Sequence, residues 1–267
     1  MNRRLGTLAF RGVTAVLLGF VLLPVAVVVA TSLNAAPDVV FPPDRLSLRW
    51  YRAFLFEEPE WRRAFVNSVV VAAGTAVLAT LLGTAGAYGV RGLPDSRLRR
   101  AVTTVIVLPL PTPVVVLALA LSVYFARIGV GSGHVAVVLG HTLVTVPFVY
   151  VVVRATLARV DWQTREAALD LGATRWQAFR EAVAPQIRAG VLAAGFVAAV
   201  LSLHEFLIAL FVAGVDARTL PVLEWTALRN FVDPTVSVVS TLLILLAVVL
   251  SVPVVAALGV ERLAREL

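Results

Sequence analysis

Apolar residues run along this chain in long blocks, separated by short polar segments, rather than alternating at a short period. A helix that crosses a bilayer needs about 20 mostly apolar residues. Six stretches reach that length: Phe10–Thr31, Phe65–Val90, Ala101–Phe125, His134–Val153, Ala189–Ala213 and Val236–Val260. The pattern predicts an all-α, polytopic membrane protein, with residues 1–267 forming one transmembrane domain of six spans. The apolar run from Gly12 to Ala30 exceeds the ~7–15 residues of a signal-peptide core, so it reads as an uncleaved first span.

Helix breakers interrupt the blocks. Pro109, Pro111 and Pro113 are expected to break the third span, and Pro147 the fourth. Between the first two spans, Leu33–Ala64 holds Pro37, Pro42 and Pro43, then Trp50, Tyr51, Phe54, Phe56 and Trp61. Aromatics and arginines at helical spacing predict a short surface helix there, or an aromatic belt without a specific ligand.

The segment from Arg154 to Arg188 has a more definite pattern. Asp161 suits a helix N-cap, and Gly172 a left-handed helix end, with Glu166, Ala167, Ala168 and Leu171 on the helix between them. Thr174 and Gln177 have capping-box spacing for a second helix. That helix carries Trp176, Phe179 and Val183 on one face, and Pro185 is expected to break or kink it. Such a helix-turn-helix either docks another protein or packs on its own bundle.

Composition supports the membrane reading. Hydrophobic residues make up 60% and charged residues 15%, against roughly 45–50% and about 25% in soluble domains. Mean hydropathy is +0.92 and the pI about 11.1. The net charge is +7, and every basic residue is Arg. With six spans, fifteen arginines fall on the side that holds the termini, the 91–100 loop and the 154–188 loop, and eight on the other. By the positive-inside rule both termini are cytoplasmic. This clustering explains the charge by topology rather than by nucleic acid. With no Lys, the chain cannot form a P-loop. With no Cys, disulfides, thiol catalysis and Cys-ligated metals are excluded.

His204-Glu205 begins a zinc-protease pattern, but Ile208 stands where the second His is needed. Three scattered histidines, His134, His141 and His204, make a poor metal site. Gly129, Gly131 and Gly133 read as a turn, and no Gly-x-Ser-x-Gly elbow occurs. No catalytic residue is identified. Glu205 is the one acidic residue well inside a span, with Ser202 and His204 beside it. An intramembrane carboxylate faces either a solute path, where it favours a cation, or a structural partner such as His204 or an Arg of another chain.

The stretch Glu166-Ala167-Ala168, three residues, Gly172, and on to Pro185 resembles the EAA loop of ABC importer permeases. Asn67-Ser68, the Gly83, Gly86, Ala87, Tyr88 run, Pro109, Pro111, Pro147-Phe148 and Thr219-Leu220-Pro221 resemble the same family. The usual Ile-x-Leu-Pro end of the loop is here Ala182-Val183-Ala184-Pro185. The resemblance implies a type I ABC importer (MetI-like) permease fold, nearest to the spermidine/putrescine subgroup, in the bacterial inner membrane. It implies a second permease subunit as a heterodimer, two ABC ATPase subunits, an extracytoplasmic solute-binding protein and membrane lipid as partners. ATP and Mg would sit on the ATPases, with no cofactor in this chain. Glu166, Ala167, Ala168, Leu171, Gly172, Ala173, Trp176 and Pro185 would form the ATPase-docking coupling loop, and Ser202, His204 and Glu205 the candidate substrate path. Thiamine, ferric iron or an opine-like cargo fits the same architecture. A gradient-driven transporter or channel is the alternative without an ATPase.

Overall fold

The computed structural model describes residues 2–37, 40–230 and 234–258. The sixth predicted span ends at Gly259 and Val260, and Arg262 and Arg265 follow; all four lie outside these residues. The described chain is helical: α1 (Asn2–Ser32), α2 (Arg49–Arg52), α3 (Pro59–Arg91), α4 (Ser96–Val107), α5 (Val114–Arg127), α6 (His134–Leu157), α7 (Trp162–Asp170), α8 (Arg175–Ala178), α9 (Ala184–His204), α10 (Leu207–Val212), α11 (Leu220–Asn230) and α12 (Thr235–Leu258). Among the described residues, five helical stretches are long and apolar enough to cross a membrane: Phe10–Ser32, Pro59–Arg91, His134–Leu157, Arg175–His204 and Thr235–Val252. Val114–Arg127 is a shorter apolar helix.

The third apolar stretch is two helices. Pro109, Pro111 and Pro113 lie in the gap between α4 and α5, where the ring and the missing N–H stop an α-helix. Pro147 differs from expectation. It sits inside α6, which continues to Leu157. Neighbouring helices stabilise such a residue within a bundle, and Pro147 is itself buried there.

The chain divides into two compact units. The first comprises Met1–Arg63 and Leu223–Leu245. Its part of the Leu33–Ala64 segment, up to Arg63, holds the short helix that the aromatics predict, α2 continuing as a π-helical turn over Ala53–Glu57. Trp50 Nε1 donates to the Ala36 carbonyl at 3.2 Å, and Tyr51 Oη meets Ser32 Oγ at 2.8 Å. Thr31 Oγ1 donates to Ser237 Oγ at 3.2 Å. Most of the apolar surface of α1, including Phe10 and Phe20, is exposed and suits lipid.

The second unit comprises Ala64–Val222 and Leu246–Leu267. One of its cores joins α3, α6 and α9 through Ala79, Val149, Tyr150, Ile187, Ala194 and Ala198. Lipid tails are as apolar as Leu, so close packing rather than water exclusion holds such helices together. Glycines provide the close approach. A Cβ at Gly190 would overlap Thr156, and one at Gly195 would lie 2.9 Å from Thr80 Oγ1. A second core packs Ala118, Phe125, Val137, Ile208 and Val212 from α5, α6 and α10.

Candidate functional site

The 154–188 segment folds as two short helices around a tight turn. Asp161 caps α7, its Oδ1 accepting from Gln163 N at 3.0 Å. Gly172 follows α7 at φ +89°, a left-handed conformation that a Cβ would strain. Gly172 N donates to Leu169 O at 2.9 Å and Ala173 N to Ala168 O at 3.0 Å, the paired bonds of a Schellman end. Thr174 and Gln177 form the capping box of α8, with bonds of 3.2 and 2.8 Å.

This turn leaves apolar groups exposed. Leu171 is 90% exposed and Trp176 66%. Glu166, Ala167, Gly172 and Pro185 are exposed, while Ala168 and Ala173 are half-buried. The opposite face of α7, Trp162, Arg165 and Leu169, is turned toward the protein. Of the eight coupling-loop candidates, seven lie between Glu166 and Trp176, around this turn, and Pro185 lies further along the chain.

Pro185 does not break the helix. The stretch Arg175–His204 is continuous, with a π-helical turn over Phe179–Val183. The Ala184 N–H reaches Phe179 O, and Pro185 then lies in the first turn of α9, where a missing N–H costs least.

The helix breaks instead at Glu205. This residue ends α9 with φ −72° and ψ 120°, and α10 starts at Leu207. Neither Pro nor Gly is involved. The Glu205 carboxylate replaces the missing helical bonds: Oε2 accepts from Ile208 N at 2.9 Å and Ala209 N at 3.3 Å. His141 Nε2 lies 3.2 Å from the same oxygen, at ion-pair distance but without the alignment of a hydrogen bond. His141 Nδ1 meets Ser202 Oγ at 2.8 Å. Of the substrate-path candidates, Ser202 and Glu205 therefore converge, while His204 is exposed and takes no part. His141, 64 positions from Glu205, was not among those candidates; its only signal in the sequence was an imidazole inside an apolar run.

Asn67 and Ser68 meet the loop that precedes α11. Asn67 Nδ2 donates to Asp216 O at 2.9 Å and Arg218 O at 3.0 Å, and its Oδ1 meets His134 Nε2 at 2.8 Å. Ser68 Oγ accepts from Leu220 N at 2.8 Å. Two segments picked out separately in the sequence are one clip. No cluster of three His, Cys, Asp or Glu with metal-binding geometry occurs among the described residues.

The model of the binding-protein-dependent transport system inner membrane component family matches residues 79–265. The chain belongs to this family. It is a permease subunit of an ABC importer and spans the membrane several times. The permease is similar to the putrescine transport system permease protein PotI of Escherichia coli strain K12, at 30% identity over 87% of this chain and 85% of the relative. It is similar to the spermidine/putrescine transport system permease protein PotC of Haemophilus influenzae, at 27% identity over 89% and 91%. Its fold is that of a chain in the crystal structure of a bacterial alginate ABC transporter, with TM-score 0.71 and 15% identity over 96% of this chain and 93% of that one.

Proposed function

We propose that this permease imports a small cationic solute of the polyamine class through the bacterial inner membrane. Two ATPase subunits hydrolyse Mg-bound ATP and dock on the 154–188 loop of this chain and of a second, similar permease. A soluble extracytoplasmic protein delivers the cargo. The observation that carries this reading is the exposed apolar pair Leu171 and Trp176 held on either side of the Gly172 turn. Such groups in water mark a partner surface. Both termini and this loop are cytoplasmic, as the arginine asymmetry supports.

The polyamine class is supported by the two relatives named above and by Glu205. Three contacts converge on Oε2, which leaves Oε1 as the oxygen for a passing ammonium group. A carboxylate in a low-dielectric setting attracts such a group strongly.

The test is purification of the tagged complex from mild detergent, wild type against Gly172→Asp. A co-purifying ATPase that the variant loses supports the reading, and the co-purifying binding protein then identifies the cargo. A wild-type permease without an ATPase, moving solute without ATP, overturns it. Binding-protein selectivity for thiamine, ferric iron or an opine-like compound would keep the architecture and overturn the polyamine cargo.

A further inference from the structure

Helix α7 is joined through the backbone to α6 and α8, but it reaches α3 only through side chains. At the C-terminal end of α3, the Arg91 guanidinium lies 3.7 Å from the centroid of the Trp162 ring on α7. One turn earlier, Tyr88 stacks on Trp162 with centroids 6.4 Å apart, and meets Phe179 edge-on at 4.8 Å. Its hydroxyl accepts from Arg165 Nε at 3.3 Å. Trp162 and Arg165 are three residues apart and share a face of α7. On its other flank α7 is tied to α9: Gln186 Oε1 accepts from Asp161 N at 3.0 Å, and Gln186 Nε2 donates to Thr164 Oγ1 at 3.2 Å.

The other end of α3 carries the Asn67 and Ser68 clip, which grips the backbone of Asp216, Arg218 and Leu220. A helix rises about 1.5 Å per residue, so the clip and the Arg91 joint are about 36 Å apart along one helix axis. Between them α3 is closely packed, with Thr80 against Gly195 and Gly83 against Val149. A closely packed helix has low compressibility and transmits strain along its length.

We propose that Tyr88 and Arg91 are positioning residues that join the docking loop to α3, and that α3 carries the motion of α7 to the 214–220 loop at its far end. Docking-loop movement then opens or closes the far side of the unit in step with ATP, by a side-chain route that runs beside the backbone path through α9 and α10. This rests on the reading that an ATPase docks at the loop. An exposed cation–π contact adds only about 0.5–1 kcal/mol to stability, so losing it leaves the fold intact and exposes its role in coupling.

The experiment uses the complete complex, with its ATPase and binding protein, in proteoliposomes. The chain has no cysteine, so Val215→Cys, at a position 80% exposed in the far loop, gives the permease chain a single thiol, whose label is read on that chain after the subunits are separated. Three backgrounds are compared: unchanged, Arg91→Met with Tyr88→Phe, and Arg91→Lys. We expect the labelling rate to change with ATP in the unchanged background and in Arg91→Lys, which keeps the cation. In the double variant that change disappears, and transport per ATP hydrolysed falls by about fivefold or more, while the ATPase still co-purifies. A labelling rate that ignores ATP in the unchanged background overturns the proposal. So does an ATP response that persists in the double variant, or an ATPase lost only from that variant, which would make the joint a scaffold for docking. Absence of the ATPase from every background instead overturns the docking reading itself.

Discussion

His141 Nε2 and Glu205 Oε2 lie 3.2 Å apart, and the same oxygen caps the first turn of α10. One carboxylate thus ends one helix, begins the next and holds a fully buried imidazole. Glu205→Ala removes the cap and strands His141, which costs about 2–4 kcal/mol. Glu205→Gln keeps an oxygen that accepts from the Ile208 and Ala209 amides, so it costs about 1 kcal/mol or less. Thermal unfolding in detergent measures both. Uptake by the Gln variant then reports the charge alone, and a weaker apparent affinity for a cationic solute is expected.

Gly190 and Gly172 are predicted to fail as alanines for different reasons. At Gly190 a Cβ overlaps Thr156, and forcing α6 and α9 apart costs about 1–3 kcal/mol. Thr156→Ala should recover part of that loss, which a double-mutant cycle reads directly. At Gly172 there is open space, but φ is +89°, so alanine costs about 1 kcal/mol through backbone strain alone. No second-site truncation repairs it.

Leu171→Asp leaves the fold within about 0.5 kcal/mol, because a side chain 90% exposed has little to lose. Its effect falls on docking. An apolar anchor at the centre of an interface contributes about 2 kcal/mol or more. The purified complex should therefore lose its ATPase while the permease melts at an unchanged temperature. Equal ATPase recovery in variant and wild type would move the docking surface elsewhere.

Glu224 on α11, in the loop between the fifth and sixth apolar stretches, is desolvated by burial, which raises its pKa from the ordinary 4.5 to about 7 against the opposing hydrogen bond from Ser240. The folded form holds this proton more tightly than the unfolded chain does. Its contribution to stability is therefore complete below about pH 4.5 and is lost as pH rises through about 7. Melting temperature should fall across that window, and Glu224→Gln should flatten the fall. A wild-type slope that survives the substitution would place the titrating group elsewhere.

Local signals were legible where local bonds decide the structure. Asp161, Thr174 with Gln177, and Gly172 each act within a few residues of themselves, and the structure contains each cap as the spacing predicts. The triple-proline break acts in the same way. What escaped was decided at a distance or by compensation. The break at Glu205 has no breaker residue; it depends on a side chain that substitutes for backbone bonds and on His141 from another helix. Pro185 and Pro147 looked like breaks, but a π turn accommodates one and a packed interior the other. The pairing of Asn67 with the loop before α11 spans about 150 residues and leaves no periodic trace.

The unbroken stretch from Arg175 to His204 has a mechanical consequence. Its 30 residues form a rod about 45 Å long, with Trp176 at one tip and the Glu205 break just past the other. Pivoted at one end, such a lever converts a tilt of about 5° into a sideways sweep of about 4 Å at the other. That is more than the separation of His141 from Glu205. A small tilt of this rod about its Trp176 end is therefore enough to part the imidazole from the carboxylate, and the angle at which that end is held sets whether the contact is kept.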